Sequence, residues 1–164
     1  MSSENKEYQS TLNPYGGMMC DVYISSGLQQ LRSFTSDLFH ALILAGVNVL
    51  RNTRPYTNDL ILSGPIEGCR VCIIVFTVDY ASSIMCLQEL VKVMECHRSS
   101  TAQKVVPVFY CLDPSHLHNL SGSFGRAFLD TLQRNSTDKS KVLTYRTALR
   151  EASAASPTFL SDAR

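Results

Sequence analysis

No stretch of this 164-residue chain holds the roughly 20 consecutive apolar residues that a bilayer-spanning helix needs. The polar opening MSSENKEYQS does not read as a signal peptide either. Charge of one sign is also lacking. Fifteen Lys and Arg against 14 Asp and Glu leave a net +1, which offers no electrostatic footing for nucleic acid or an anionic membrane. Internal repeats are absent. Cys69-x-x-Cys72 has no matching second pair, so no metal site is expected. The six cysteines (Cys20, Cys69, Cys72, Cys86, Cys96 and Cys111) sit mostly inside apolar patterns and are read as reduced core thiols of a cytosolic protein. What is present is an apolar content of 45% with 18% charged residues, enough for one globular domain with a sizeable core.

The informative stretch begins at Val71. Val71-Cys72-Ile73-Ile74-Val75-Phe76 is a β-branched, unalternated run, as suits a strand covered on both faces in a parallel sheet. Thr77 to Ser83 is a polar turn. From Cys86 the period changes, with Leu87, Leu90, Val91 and Met94 at helical spacing. In open α/β sheets ligands bind at the carboxyl ends of such strands. Glu89 falls about one turn into the helix, near that rim.

The remaining chain reads β-α-β before this unit and β-α-α after it. Cys20–Ile24 is a strand, Leu31–Leu44 a helix ending at Gly46, and Val47–Leu50 a strand. Arg51 to Asn58 is a loop, and Asp59 to Gly68 holds at most a turn or two of helix. Val105–Tyr110 is a strand whose Pro107 argues against full hydrogen bonding on both sides. Asp113-Pro114 opens a turn. Phe124–Leu132 and Val142–Ala155 are helices, and the apolar stripes of Phe34–Leu44 and Val142–Leu149 are read as core. The expected layout is a leader at 1–17, one domain at 18–156 and a tail at 157–164. The expected fold class is α/β, a parallel sheet of four to five strands flanked by helices.

Four ordered blocks carry a resemblance. They are Asp21-Val22-Tyr23-Ile24-Ser25; Phe34-Thr35-Ser36-Asp37-Leu38; Ile66 through Leu90, ending Cys86-Leu87-Gln88-Glu89-Leu90; and Val105 through Phe128 with its Asp113-Pro114-Ser115 and Gly122-Ser123-Phe124-Gly125. Over about Asp21 to Ala155 the chain resembles the plant TIR (Toll/interleukin-1 receptor) domain family. The resemblance implies a flavodoxin-like sheet and a cytoplasmic or nucleo-cytoplasmic signalling domain of plant innate immunity. Its implied activity is cleavage of NAD+ between nicotinamide and ribose. NAD+ is the substrate, no cofactor is expected, and the implied partners are other TIR domains.

The resemblance places the catalytic carboxylate at Glu89. It places substrate contacts at Ser25, Ser26, Gly27, Arg51, Ser83, Met85 and Cys86, and self-association contacts at Ser36, Asp37, Gly122 and Tyr145. The chemistry suits a carboxylate: nicotinamide leaves through an oxocarbenium-like transition state, whose positive charge a nearby anion offsets. Read without the family, Glu89 is an exposed helix residue and Ser83 a helix N-cap. His116 and His118 read as solvated surface residues. The chain also departs from the family pattern. Ser25 to Leu31 lacks the family loop's arginine and acid, Met85 replaces a tryptophan, the loop from Leu50 to Ile66 is shorter, and Asp37 replaces a histidine. A second reading is therefore an interaction module that docks with other TIR domains and turns over little or no NAD+. A phosphate- or flavin-binding relative would need a longer phosphate loop than Ser25-Ser26-Gly27.

Overall fold

The computed structural model describes residues 20–27, 34–51, 66–155 and 158–160. The leader, most of the loop after the first strand, the shortened loop at 52–65 and the stretch 161–164 lie outside the described residues. The strands are β1 (Cys20–Ser26), β2 (Val49–Arg51), β3 (Cys69–Phe76), β4 (Lys104–Tyr110) and β5 (Thr158–Leu160). The helices are α1 (Phe34–Leu44), α2 (Ile84–Ser99), α3 (Pro114–Asn119), α4 (Gly122–Arg134) and α5 (Lys139–Ala154), with a 3-10 turn at Tyr80–Ser82.

All four strand pairings are parallel, in the order β2-β1-β3-β4-β5. This is the flavodoxin-like order, whose direction of progress reverses between β1 and β3. Crossovers of one hand then place α1 on one face of the sheet and α2 with its followers on the other. The alternation of β3 shows both faces covered. Cys72, Ile74 and Phe76 enter the larger core with Leu87, Leu90, Phe124, Phe128 and Leu149. Val71, Ile73 and Val75 face the smaller one with Phe34, Leu38 and Leu42 of α1. Phe34 also stacks on Tyr110, ring centroids 5.1 Å apart.

Several sequence expectations change. β5 lies within the stretch read as a tail; it pairs only with Val108–Tyr110 of β4. Pro107 therefore sits in an inner strand but just before the part bonded on both sides, where a missing N–H is tolerated. The α1 stripe is core at Phe34, Leu38, Phe39 and Leu42; Leu44, about 200° round from Leu42, is 88% exposed. Leu143 of α5 is exposed as well. Not all six cysteines are free. Cys20 and Cys69 start adjacent strands as register partners, their Cα atoms 4.6 Å apart, and are joined as a disulfide.

Candidate functional site

At the point where the strand order reverses, the carboxyl ends of β1 and β3 meet the start of α2. Ser83 caps that helix, its Oγ accepting from the Cys86 N–H at 3.4 Å, so the N-cap reading holds. Behind it lies Tyr80, fully buried. Its hydroxyl donates to the Cys86 carbonyl at 3.2 Å, and its only proton is spent there. The Ser25 hydroxyl, 2.9 Å away, must then donate to the Tyr80 oxygen. The Cys86 thiol completes the lacing with a 3.7 Å contact to the Ser26 carbonyl. Gly27 lies against Asp79, to which the Thr77 hydroxyl donates; a Cβ at Gly27 would stand 3.7 Å from the carboxylate.

Ser25, Ser26, Gly27, Ser83 and Cys86, five of the positions expected to contact substrate, are thus gathered at one rim. Asp79 and Tyr80 join them there, and the sequence reading passed both over as turn residues. Their place directly after a doubly covered strand was the available signal. Replacing Tyr80 by Phe leaves the Cys86 carbonyl and the Ser25 hydroxyl without this partner. The expected cost is about 1–3 kcal/mol in urea unfolding; an unchanged midpoint would mean that the hydroxyl does not pin the rim.

Glu89 is not an exposed helix residue. It is 3% exposed, on the inward face of α2 with Cys86, Leu90 and Val93. Its carboxylate is near enough to two thiols to affect both. Cys72 is pushed up to about 12 by burial first and then by Cys96 and Glu89. Cys86 is pushed up to about 12 by burial and Glu89, with the Ser83 hydrogen bond opposing and Asp79 adding a little. These thiols stay protonated and unreactive at neutral pH, whereas Cys111 is exposed. Alkylation of the native protein is expected to label Cys111 quickly, and Cys72 and Cys86 only after unfolding. A raised thiol pKa means that the folded state holds its proton where the unfolded state has lost it. Both cysteines therefore stabilise the fold less as pH climbs from 9.0 towards about 12. Denaturant midpoints across that window check the sign.

Arg51 ends β2, in register with Ile24, one residue before Ser25. Its guanidinium lies over the Phe39 ring, 4.2 Å from the centroid, and its buried Nη1 has no hydrogen-bond partner among the described residues. Met85 is half-buried on the first turn of α2. A hollow of about 680 Å³ opens beside Ser82, lined by Ser123, Arg126, Ala127, Asp130, Gln133 and Arg134; Glu89 and Ser25 are not on its wall.

The self-association positions are not brought together. Ser36 and exposed Asp37 lie on α1, and exposed Gly122 starts α4 on the opposite face of the sheet. Tyr145 is 5% exposed inside the larger core, so its side chain serves packing and not a docking face. Among the described residues no group of His, Cys, Asp and Glu could hold a metal ion. His116 and His118 are exposed, and His118 Nδ1 lies 3.2 Å from the Ser153 hydroxyl. No helix among the described residues is long and apolar enough to cross a membrane.

Fold and rim together define a doubly wound, flavodoxin-like α/β domain with a polar crevice edge at its topological switch point. Residues 20–162 match the TIR domain family, and the chain belongs to it. Over 138 residues, 80% of the chain, it is 39% identical to the disease resistance protein RUN1 of Vitis rotundifolia. It is 35% identical over 137 residues, again 80% of the chain, to the TMV resistance protein N of Nicotiana glutinosa. The chain spans only about a tenth of the length of these relatives, 10% and 12% respectively. Among solved structures it superposes on the TIR domains of the activated Roq1 resistosome, which directly recognises the pathogen effector XopQ. The TM-score is 0.76 at 33% identity, over 86% of this chain and 87% of that one.

Proposed function

We propose that this domain serves plant innate immunity as an NAD+ glycohydrolase, switched on by association with other TIR domains. The observation that carries the reading is Glu89. It is a buried carboxylate on the second turn of the helix that follows the switch-point strand, behind a rim of Ser25, Ser26 and Ser83. In the reaction the bond between the ribose C1′ and the nicotinamide nitrogen breaks, and nicotinamide leaves with the electron pair. Water adds to C1′ and loses a proton, giving ADP-ribose. Glu89 offsets the positive charge developing on the ribose and holds its hydroxyls. Ser25, Ser26, Gly27, Ser83, Met85 and Cys86 shape the edge on which ribose and nicotinamide rest. Arg51, with an N–H group unspent among the described residues and one strand away from Ser25, contributes a guanidinium for the phosphates, where Ser25 to Leu31 carry none.

The test is nicotinamide release at high protein concentration, wild type against Glu89→Ala. Release by the wild type alone supports the enzyme. Equal background from both leaves the second reading, a docking module. Met85 in place of tryptophan favours that second reading, as does the absence of Glu89 from the wall of the neighbouring hollow. Its own test is Asp37→His: association with an intact TIR domain should change, because the exposed anion on α1 becomes a ring that is neutral or cationic. An unchanged association would count against α1 as a contact face.

A further inference from the structure

The 3-10 turn at Tyr80–Ser82 carries the chain from β3 towards α2. Its own backbone bonds secure its start. The Tyr80 N–H donates to the Thr77 carbonyl at 3.1 Å, and the Ser82 N–H to the Asp79 carbonyl at 3.0 Å. The Ala81 and Ser82 carbonyls at its far end are held from α4 instead, by side chains 50 and 52 residues further along the chain.

Thr131 makes the closer of these two bonds. It is fully buried, as is Ala81, and its Oγ1 donates to the Ala81 carbonyl at 2.6 Å. The same atom stands 2.8 Å from the Ala127 carbonyl, one turn back in α4. A threonine hydroxyl has a single proton to give. Ala127 lies inside a helix, where its carbonyl also meets the N–H four residues on. The Ala81 carbonyl lies beyond the turn's own bonds, which end on Thr77 and Asp79. A buried carbonyl that loses its donor is costly, so the hydroxyl matters most at Ala81. Arg134 adds a weaker tie. This exposed residue donates from Nη2 to the Ser82 carbonyl at 3.3 Å and to Thr131 Oγ1 at 3.4 Å.

The turn in its turn places the rim. Tyr80 holds the Cys86 carbonyl and the Ser25 hydroxyl, and Ser83, next after Ser82, caps the helix that carries Glu89. We propose that Thr131 is a positioning residue: by holding the Ala81 carbonyl from α4, it sets the first turn of α2 and the placement of Cys86 and Glu89 at the rim. Its consequence for turnover rests on the hydrolase reading; the positioning itself does not.

Two thiols test it on the full chain. Cys72 and Cys86 are both buried and both pushed up to about 12, so in the wild type each waits for unfolding to be alkylated. Cys72 lies within β3 and serves as the control. Thr131→Val keeps the shape of the side chain and removes the hydroxyl. Alkylation of Cys86 relative to Cys72, followed by mass spectrometry at fixed pH, is expected to rise about tenfold in it. Thr131→Ser keeps the hydroxyl and should bring the ratio back to within about twofold of wild type, whereas Arg134→Gln should change it about threefold or less. General destabilisation speeds both thiols together. An unchanged ratio in Thr131→Val would therefore overturn the proposal, as would equal ratios in the Val and Ser variants. Nicotinamide release is recorded in parallel, and Thr131→Val should lose turnover that Thr131→Ser regains. Release from Thr131→Val equal to that of an active wild type would also overturn the proposal. No release from the wild type would count against the hydrolase reading alone, because the alkylation ratio needs no turnover.

Discussion

Glu89→Ala is expected to lower nicotinamide release about 100-fold or more, the scale on which one electrostatic group aimed at developing charge acts. The loss should be in turnover and not in fold, so cooperative unfolding is recorded with it. Glu89→Gln is the sharper variant. It keeps the size and burial of the side chain and removes only the charge, so an equal loss identifies charge as the agent. The two thiols give a readout that does not depend on turnover. Glu89 is the second-largest cause raising Cys86, after burial. In Glu89→Gln the pH at which Cys86 becomes half alkylated should therefore fall, while burial still holds it above the ordinary thiol range. A variant that moves Cys86 reactivity but leaves nicotinamide release equal to wild type would separate placement from catalysis and sink the hydrolase reading.

The largest stability effect is expected at Gly125→Ala. A Cβ there would lie 2.0 Å from the Leu120 carbonyl oxygen and 2.5 Å from its carbon. Both are backbone atoms in a tightly bonded corner. Leu120 closes α3 in the left-handed region at φ 51, donating to the His116 and Leu117 carbonyls. Gly125 itself donates to Ser121. The two helices can accept a methyl only by moving apart, so the expected loss is about 3 kcal/mol or more, a fall in Tm of roughly 10 °C. Gly46→Ala is the comparison. Gly46 has φ +80 but nothing within 4 Å of an added Cβ, so only the left-handed backbone cost of about 1–2 kcal/mol applies. Equal losses at the two glycines would show that the corner yields, and that Gly125 is retained for a surface role instead.

Much of the fold was legible because burial writes itself into period. The unalternated run Val71–Phe76 reads as a strand with two covered faces, and both cores receive it. The spacing of Leu87, Leu90 and Met94 reads as α2. Asp113-Pro114 reads only as a turn, yet it opens α3, where Asp113 accepts from the Ser115 N–H as N-cap. β5 escaped notice because three residues carry no period; only the free edge of β4 makes them a strand. Leu44 and Leu143 misled in the opposite direction, since an apolar side chain facing away from the sheet stays apolar and exposed. Tyr145 was placed on a surface by resemblance and is held in the core by its position on the α5 stripe with Ala148 and Leu149.

The sequence by itself determined the kinds and order of the longer elements and the family, because these depend on local period and on motifs read along the chain. Tertiary structure alone decided which side chains became neighbours. Strand register put Cys20 beside Cys69, 49 residues on. It also set Arg51 one strand from Ser25. Helix packing turned Glu89 inward, towards Cys72 and Cys86. Local pattern cannot encode such outcomes, since each depends on how two distant segments align and not on what either one contains.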